Sequence, residues 1–433
     1  MDHTARRAKF IRDQLPVEGL FAGHHWRIAT KPLMLPGKIA RELESLGPIL
    51  HKFYRASNHL YHKSTARKLH PWVSVLLDQG KPKEIISLNR HSRFRNSLPN
   101  VIRPDILLTE NGWTITELDN IPGGIGLTAW LNKTYSKAGF EVIGGPRGMR
   151  DGFTHIFEGH NNCHIIISEE SSTYRPEMNW LCGLLDDRFV VRDSSFTDWF
   201  DSDTVYRFFE MFDLDNVKCA TLLFANNGLK VTPPPKTFLE EKLLLALLHD
   251  PRLKEYWERE LGEDSFQFLL EHTPATWAVE PDPQRVDGKI PGLDITNWIE
   301  AGDFSQRRRQ LVLKVSGFSE FAWGSRGIFV GHDLPKNKWS NALQNAIEEF
   351  HSSPHVIQKF HKPRRLDIHW FNFESEEEQI LDGRARLCPY YFAQDSGMDH
   401  SSCLGGILAT VCPANKKVIH GMPEAVLAPC SVG

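Results

Sequence analysis

The sequence predicts an α/β plus α+β chain, and three observations carry that reading. A helical opening gives way near residue 101 to an acid-bearing β-hairpin. Residues 151–232 then alternate short apolar strands with helices. A proline-rich break, TPPP at 232–235, leads into a helix, a lysine-bearing strand and an antiparallel C-terminal end. Three regions follow: 1–150, a helical part with the acidic hairpin; 151–232, a βα layer; and 233–433, the lysine helix, a glycine-bearing loop and the last sheet.

Each element has its own signal. PGKIARELESLGPILHKFYRASNHLY places apolar side chains at three- and four-residue spacing, the period of a helix with one buried face. RPDILLTENGWTITELD (103–119) alternates like a strand on both sides of Asn111-Gly112, the strongest short hairpin signal. LTAWLNKTYSKAG reads as a helix closed by Gly139. CHIIIS is a nearly continuous apolar run, as a strand buried on both faces requires. With RPEMNWLCGLL as a helix and RFVVRD as a strand, and DTVYRFFEMFDL and CATLLFAN continuing the alternation, 151–232 reads as a Rossmann-like layer.

Beyond the linker, KTFLEEKLLLALLHDPRLKEYWEREL is strongly helical throughout. QLVLKVSGFSEFAWGSRGIFVG reads as strand, loop, strand. KWSNALQNAIEEFHSS is expected as a helix and HVIQKFHKP as a strand stopped by Pro363. RARLCPYYF, GGILATVCP and KKVIHGM form an antiparallel meander, and ESEEEQ (374–379) a solvated loop.

Composition narrows the setting. A formal net charge of −3, with 41% hydrophobic and 24% charged residues, gives no global basic signal for nucleic acid or membrane. The polar start MDHTARRAKF is unlike a secretory signal, and no run approaches the roughly 20 apolar residues that span a bilayer. Seven cysteines without a CxxC pair fit reduced thiols in a cytoplasmic protein better than a disulfide framework or a zinc site. His24, His25 and His400 lack metal-ligand spacing, and Ser316 lacks a nucleophile-elbow context.

The hairpin carries the chemistry. Side chains at i and i+2 share a strand face, so Glu117 and Asp119 point the same way and the returning strand brings Asp105 alongside. Three crowded carboxylates raise one another's pKa unless a cation neutralises them. Mg²⁺ suits such oxygens; a wet sheet face salt-bridged to lysines is the other reading. Lys314, mid-strand in LVLKVSG, needs an anionic partner, since an unpaired buried ammonium is very costly. The loop after it, with Gly317, Gly324 and Gly327, has the freedom to fold backbone N–H groups over phosphate. Lys242 in LEEKLLLALL is a second lysine facing an apolar helix, with a snorkelling surface lysine as the other reading, and VIQKF (356–360) offers a strand edge to a base.

In this arrangement the chain resembles the circularly permuted ATP-grasp ligases of the glutathionylspermidine synthetase type, over roughly residues 100–433. The family's Arg-x-Asp strand, followed twelve residues on by Glu-x-Asn, is matched by Arg103-Pro104-Asp105 and Glu117-Leu118-Asp119. The acids precede the lysines, which is the permuted order. The resemblance implies a circularly permuted ATP-grasp fold with a Rossmann-like layer. It implies ATP and Mg²⁺ as cofactors, with Asp105, Glu117 and Asp119 holding the metal. Lys242, Lys314 and Gly317 would contact the nucleotide phosphates, and Gln358, Lys359 and Phe360 the adenine. Arg103, Arg326 and Arg386 would steady the transferred phosphate, and DTVYRFFEMFDL would line the cleft. Three positions depart from the pattern. Asp119 replaces an asparagine, Ser319 an arginine near Arg326, and Thr410 a late arginine for which Arg384 or Arg386 would substitute. No amidase-type Cys-His domain accompanies the ligase segments.

The activity implied is ATP-dependent joining of a carboxylate to an amine through an acyl phosphate, on amino acids or small peptides. A small-molecule kinase on the same fold, or a non-catalytic nucleotide-binding protein, would use the same motifs. Arg90, Arg93 and Arg95 in NRHSRFRN fit either a substrate-carboxylate site or a solvated loop.

Overall fold

The computed structural model describes residues 3–16, 26–160, 162–322, 326–393, 402–416, 418–419 and 423–433. Gly324, His24, His25, His400 and part of KKVIHGM lie outside them.

Three sheets organise the chain. The largest has eight strands, six in the order Arg27–Ile28, Val426–Val432, Ser402–Pro413, Glu377–Ala393, Val101–Thr109 and Gly112–Asp119; Leu33–Leu35 and Leu366–Asn372 pair off this path. The helices Gly37–Thr65 and Gly148–His155 pack on its two long central strands. The second sheet is parallel, in the order Phe189–Asp193, Cys163–Ile167, Thr204–Phe208 and Lys230–Thr232, and lies within residues 151–232. The third is antiparallel, in the order Ile328–Val330, Leu311–Val315, His355–Lys359 and Thr276–Ala278. One apolar core runs through the large sheet, its helices and the neighbouring parallel layer, and a smaller one around Trp298, Leu313, Trp339 and Ile357 lies against the antiparallel sheet.

The helical start, the hairpin, the helix Ile125–Lys137 and the lysine strand appear where the patterns place them. Gly124 opens that helix at φ +90°, where a Cβ would come within 2.3 Å of the Tyr390 hydroxyl, so both backbone and space require glycine.

Several elements differ from expectation. The hairpin turn is Glu110-Asn111, one residue earlier than Asn111-Gly112, with Gly112 already in the strand at φ +136°. The stretch 236–261 is not one helix. It breaks into the turn Thr237–Leu239, the helix Leu243–His249, the turn Pro251–Leu253 and the helix Lys254–Leu261. Pro251 removes a backbone donor and Asp250 caps the turn after it, accepting from the Arg252 amide at 2.9 Å. CATLLFAN forms the short helix Ala220–Ala225, and the strands Leu366–Asn372 and Thr276–Ala278 had no reading of their own. The last strand is Val426–Val432, and a turn joins Leu366–Asn372 to Glu377–Ala393 at exposed Glu374, Ser375 and Glu376. No helix among the described residues is long and apolar enough to cross a membrane.

Candidate active site

The hairpin register sets the site. Arg103 pairs with Asp119 and Asp105 with Glu117, so these four side chains stand in two facing rows. Between Asp105 and Ile106 the register shifts, leaving Thr116 as the extra residue of a bulge. Its hydroxyl donates to the Asp105 carbonyl at 3.2 Å, and its carbonyl accepts from Lys314 Nζ at 3.0 Å. The bulge therefore couples the hairpin to the lysine strand of the antiparallel sheet.

Protein cations answer the crowding of the acids. Arg103 lies 3.2 Å from Asp105 and 2.8 Å from Asp119, and also donates to the Gly123 carbonyl at 3.2 Å. Arg386, from the strand next to the hairpin, reaches Asp105 at 3.1 Å, and the Cys388 thiol lies 3.4 Å from the same carboxylate. Lys242 Nζ sits 2.7 Å from Glu117 and donates to the Ala322 carbonyl of the glycine-bearing loop at 2.7 Å. Its backbone is fixed too. The Lys242 amide donates to the Ser316 carbonyl at 3.1 Å, and Ser316 Oγ donates to Glu241, which pairs with buried Lys81.

Electrostatics separates the carboxylates. Burial alone would raise Asp105, but Arg386 and Arg103 beside it hold it below the usual range. Asp119 shares Arg103 without a second arginine, and burial keeps its carboxyl raised. Burial, followed by the Glu240 and Asp119 carboxylates, pushes Glu210 up to about 8. Lys314 is only 6% exposed, and burial pulls its ammonium down to about 8 although Glu117 opposes the shift. These groups line one cavity of about 360 Å³, together with Tyr174, Phe208 and Phe321.

The wall carrying Glu210 follows from the fold. In a parallel sheet, ligands sit beyond the carboxyl ends of the strands. Glu210 lies two residues past Thr204–Phe208, and Ser171 and Tyr174 follow Cys163–Ile167. The segment DTVYRFFEMFDL does line the cleft, through Phe208 and Glu210, and that rule singles out Glu210, which the resemblance did not.

No protein-family model matches the chain, and no curated protein matches it in sequence. Among solved structures, a glutathione synthetase-like effector from Globodera pallida is similar over 100% of this chain and 96% of that one, with a TM-score of 0.58 at 12% identity. The two share a fold. A candidate gamma-glutamylcysteine synthetase from Methylobacillus flagellatus covers 88% of this chain and 84% of its own at a TM-score of 0.38 and 11% identity, which is too low to carry an argument.

Within this glutathione synthetase-like fold, Arg103, Asp105, Glu117, Asp119, Lys242, Lys314 and Arg386 converge in the cleft. Gly317 lines the small pocket beside it, within the same loop as Ala322. Lys242 is the residue capping Leu243–His249, so it enters the cleft from the helix start and does not lie along the helix's apolar face. Arg326 lines neither the cleft nor the pocket beside it and lies 3.6 Å from Glu170 of the parallel layer. Arg384 reaches the Lys416 carbonyl, away from the cleft, so Arg386 is the arginine at the position opposite Thr410.

The base edge expected along 356–360 is not free. Leu311–Val315 covers one side of His355–Lys359 and Thr276–Ala278 the other. The Lys359 amide donates to Ala275 and the Phe360 amide to Gln310, both at 2.9 Å. The Gln358 side chain is buried on Thr276, Lys359 is exposed, and Phe360 packs on His332. None of the three lines the cleft. Among the described residues no three acid, His or Cys side chains are grouped to hold a metal ion, because Asp105 is turned to two arginines and Asp119 to one.

Replacing Glu210 tests the charge balance directly. A carboxyl held protonated in the folded state stabilises it below the unfolded pKa of about 4.5 and loses that stability as pH rises through about 8. Glu210→Gln is therefore expected to gain stability relative to the parent across pH 5–8.5, by on the order of 2 kcal/mol in urea unfolding. A difference that stays constant with pH would contradict the assignment.

Proposed function

We propose that the chain is an ATP-dependent carboxylate–amine ligase acting on amino acids or small peptides, built on a circularly permuted ATP-grasp arrangement. One observation carries the reading: Lys242, Lys314, Arg103 and Arg386 converge with Glu117 and Asp119 on a single partly buried cleft.

The residues fit the implied cation. The donor set is oxygen only, and Glu117 and Asp119 remain 29% and 28% exposed toward the cleft. Burial raises the carboxyls of Asp119 and Glu210, and a cation bound beside them would favour their charged forms. Glu117 and Asp119 would hold Mg²⁺, whereas Asp105, at 10% side-chain exposure, instead anchors Arg103 and Arg386. When bound, the metal would draw charge off the phosphate oxygens. Lys242 and Lys314 would hold those oxygens, and Arg103 and Arg386 would orient the substrate carboxylate and steady the acyl phosphate formed from it. The loop 317–322, which bonds to Lys242 through Ala322, would shield that intermediate from water. The covered edge at 356–360 leaves the adenine assigned to no residue in this reading.

One observation favours a second reading, a non-catalytic nucleotide-binding protein. Both lysines already have protein partners, and the strand edge meant for the base is paired. Titration of Mg-ATP into a Lys314→Met variant tests the shared premise. ATP affinity is expected to fall at least about tenfold, as loss of one charge-assisted contact requires; unchanged affinity would make Lys314 structural.

A further inference from the structure

Away from the cleft, a cavity of about 760 Å³ opens between the helix Gly37–Thr65, the segment 95–98 and Glu260. Its volume falls in the range of small-molecule sites. The helix contributes Lys52, Arg55, His59, His62 and Lys63, spaced so that they share one face, and Arg95 joins them from the neighbouring segment. The single acid, Glu260, lies 3.5 Å from His59. Lys52 is tied to the Leu261 carbonyl. Arg55, Lys63 and Arg95 make no salt bridge among the described residues.

The floor is built rather than incidental. Buried Lys236 donates to Asn58 Oδ1 at 2.6 Å, to the Arg95 carbonyl at 3.0 Å and to the Ser97 carbonyl at 2.8 Å. It thus fixes the backbone that presents Arg95 and adds a positive charge beneath it. His62 Nε2 is buried without a hydrogen-bond partner. Burial, then Lys236 and Arg95, push that imidazole down to about 4, which fits a strongly positive local field.

We propose that this cavity is a second ligand site, separate from the cleft, which takes a small anion carrying phosphate groups. Three unpaired cations against one acid call for a ligand of at least two negative charges, and two arginines offer the planar donor forks that suit phosphate oxygens. Asn96 and Ser97 add uncharged polar groups at the rim. Of the arginines in NRHSRFRN, Arg90 is spent on Asp78 and Arg93 on the Phe224 and Leu229 carbonyls, so Arg95 alone is left to face a ligand.

The test is calorimetric titration of inorganic pyrophosphate, without metal, into the full chain, the Arg55→Ala/Arg95→Ala double variant and Lys242→Met. The expected result is binding to the parent that weakens at least tenfold in the double variant and persists in Lys242→Met. Both arginines are exposed, so the double variant should melt with the parent. Absence of binding to the parent, equal binding to the double variant, or loss only in Lys242→Met would overturn the proposal. A parallel titration of citrate separates the chemistries: weaker binding than pyrophosphate supports the phosphate assignment, and equal or tighter binding rejects it.

Discussion

Asp105→Asn is expected to cost about 3–5 kcal/mol of folding stability, because among the described residues it removes the only carboxylate that Arg386 reaches and one of two that Arg103 reaches. Both guanidiniums are packed beneath the cleft, at 15% and 22% side-chain exposure, so neither recovers full hydration in the variant. The asparagine fills the same volume, which keeps a packing defect out of the measurement. Because Asp105 is held below its ordinary range by Arg386 and Arg103, its contribution is present at neutral pH and is lost as pH falls through its folded pKa. Urea unfolding of parent and variant should therefore differ strongly at pH 7 and converge toward acid. A difference below about 1 kcal/mol at pH 7 would make this a surface-like pair and return Asp105 to the pool of free metal ligands.

Glu117→Gln carries the second large effect, on turnover instead of stability. In the proposed reading Glu117 is one of the two carboxylates that would hold the cation, and its removal is expected to lower the rate about 10²–10³-fold, the usual scale for one lost electrostatic contact to the reacting groups. The fold should hold, since Lys242 keeps its bond to the Ala322 carbonyl. Near-native turnover at ordinary Mg²⁺ would remove Glu117 from the metal site.

How much of this was legible depended on what each signal encodes. Period-two alternation placed Glu117 and Asp119 on one face and brought Asp105 near them, and the register agrees. Alternation says nothing about cross-strand partners, so it missed that Arg103 stands against Asp119 and divides the acids. It also could not foresee the Thr116 bulge that hands a carbonyl to Lys314. The leucine run after Lys242 looked like a long helix because propensity is summed over a window, whereas Asp250-Pro251 acts at one point. Thr276–Ala278 is too short for any periodicity, yet it covers the edge on which the adenine reading of 356–360 depended. The mixed α/β class and the place of Lys314 on its strand were readable from local pattern; the pairing that decides which polar groups remain available was not.

The proposed reaction of this cleft joins a carboxylate to an amine at the expense of ATP. The most direct measurement is ADP and phosphate release from Mg-ATP across a panel of amino acids and γ-glutamyl peptides, singly and in pairs, with mass spectrometry of the products. A ligase gives ADP release that needs two substrates and a product equal to their sum less one water. ADP release with a single substrate and a phosphate mass gain would mean phosphoryl transfer alone. ATP binding without turnover on any pair would contradict the ligase and leave the cleft as a nucleotide-binding site.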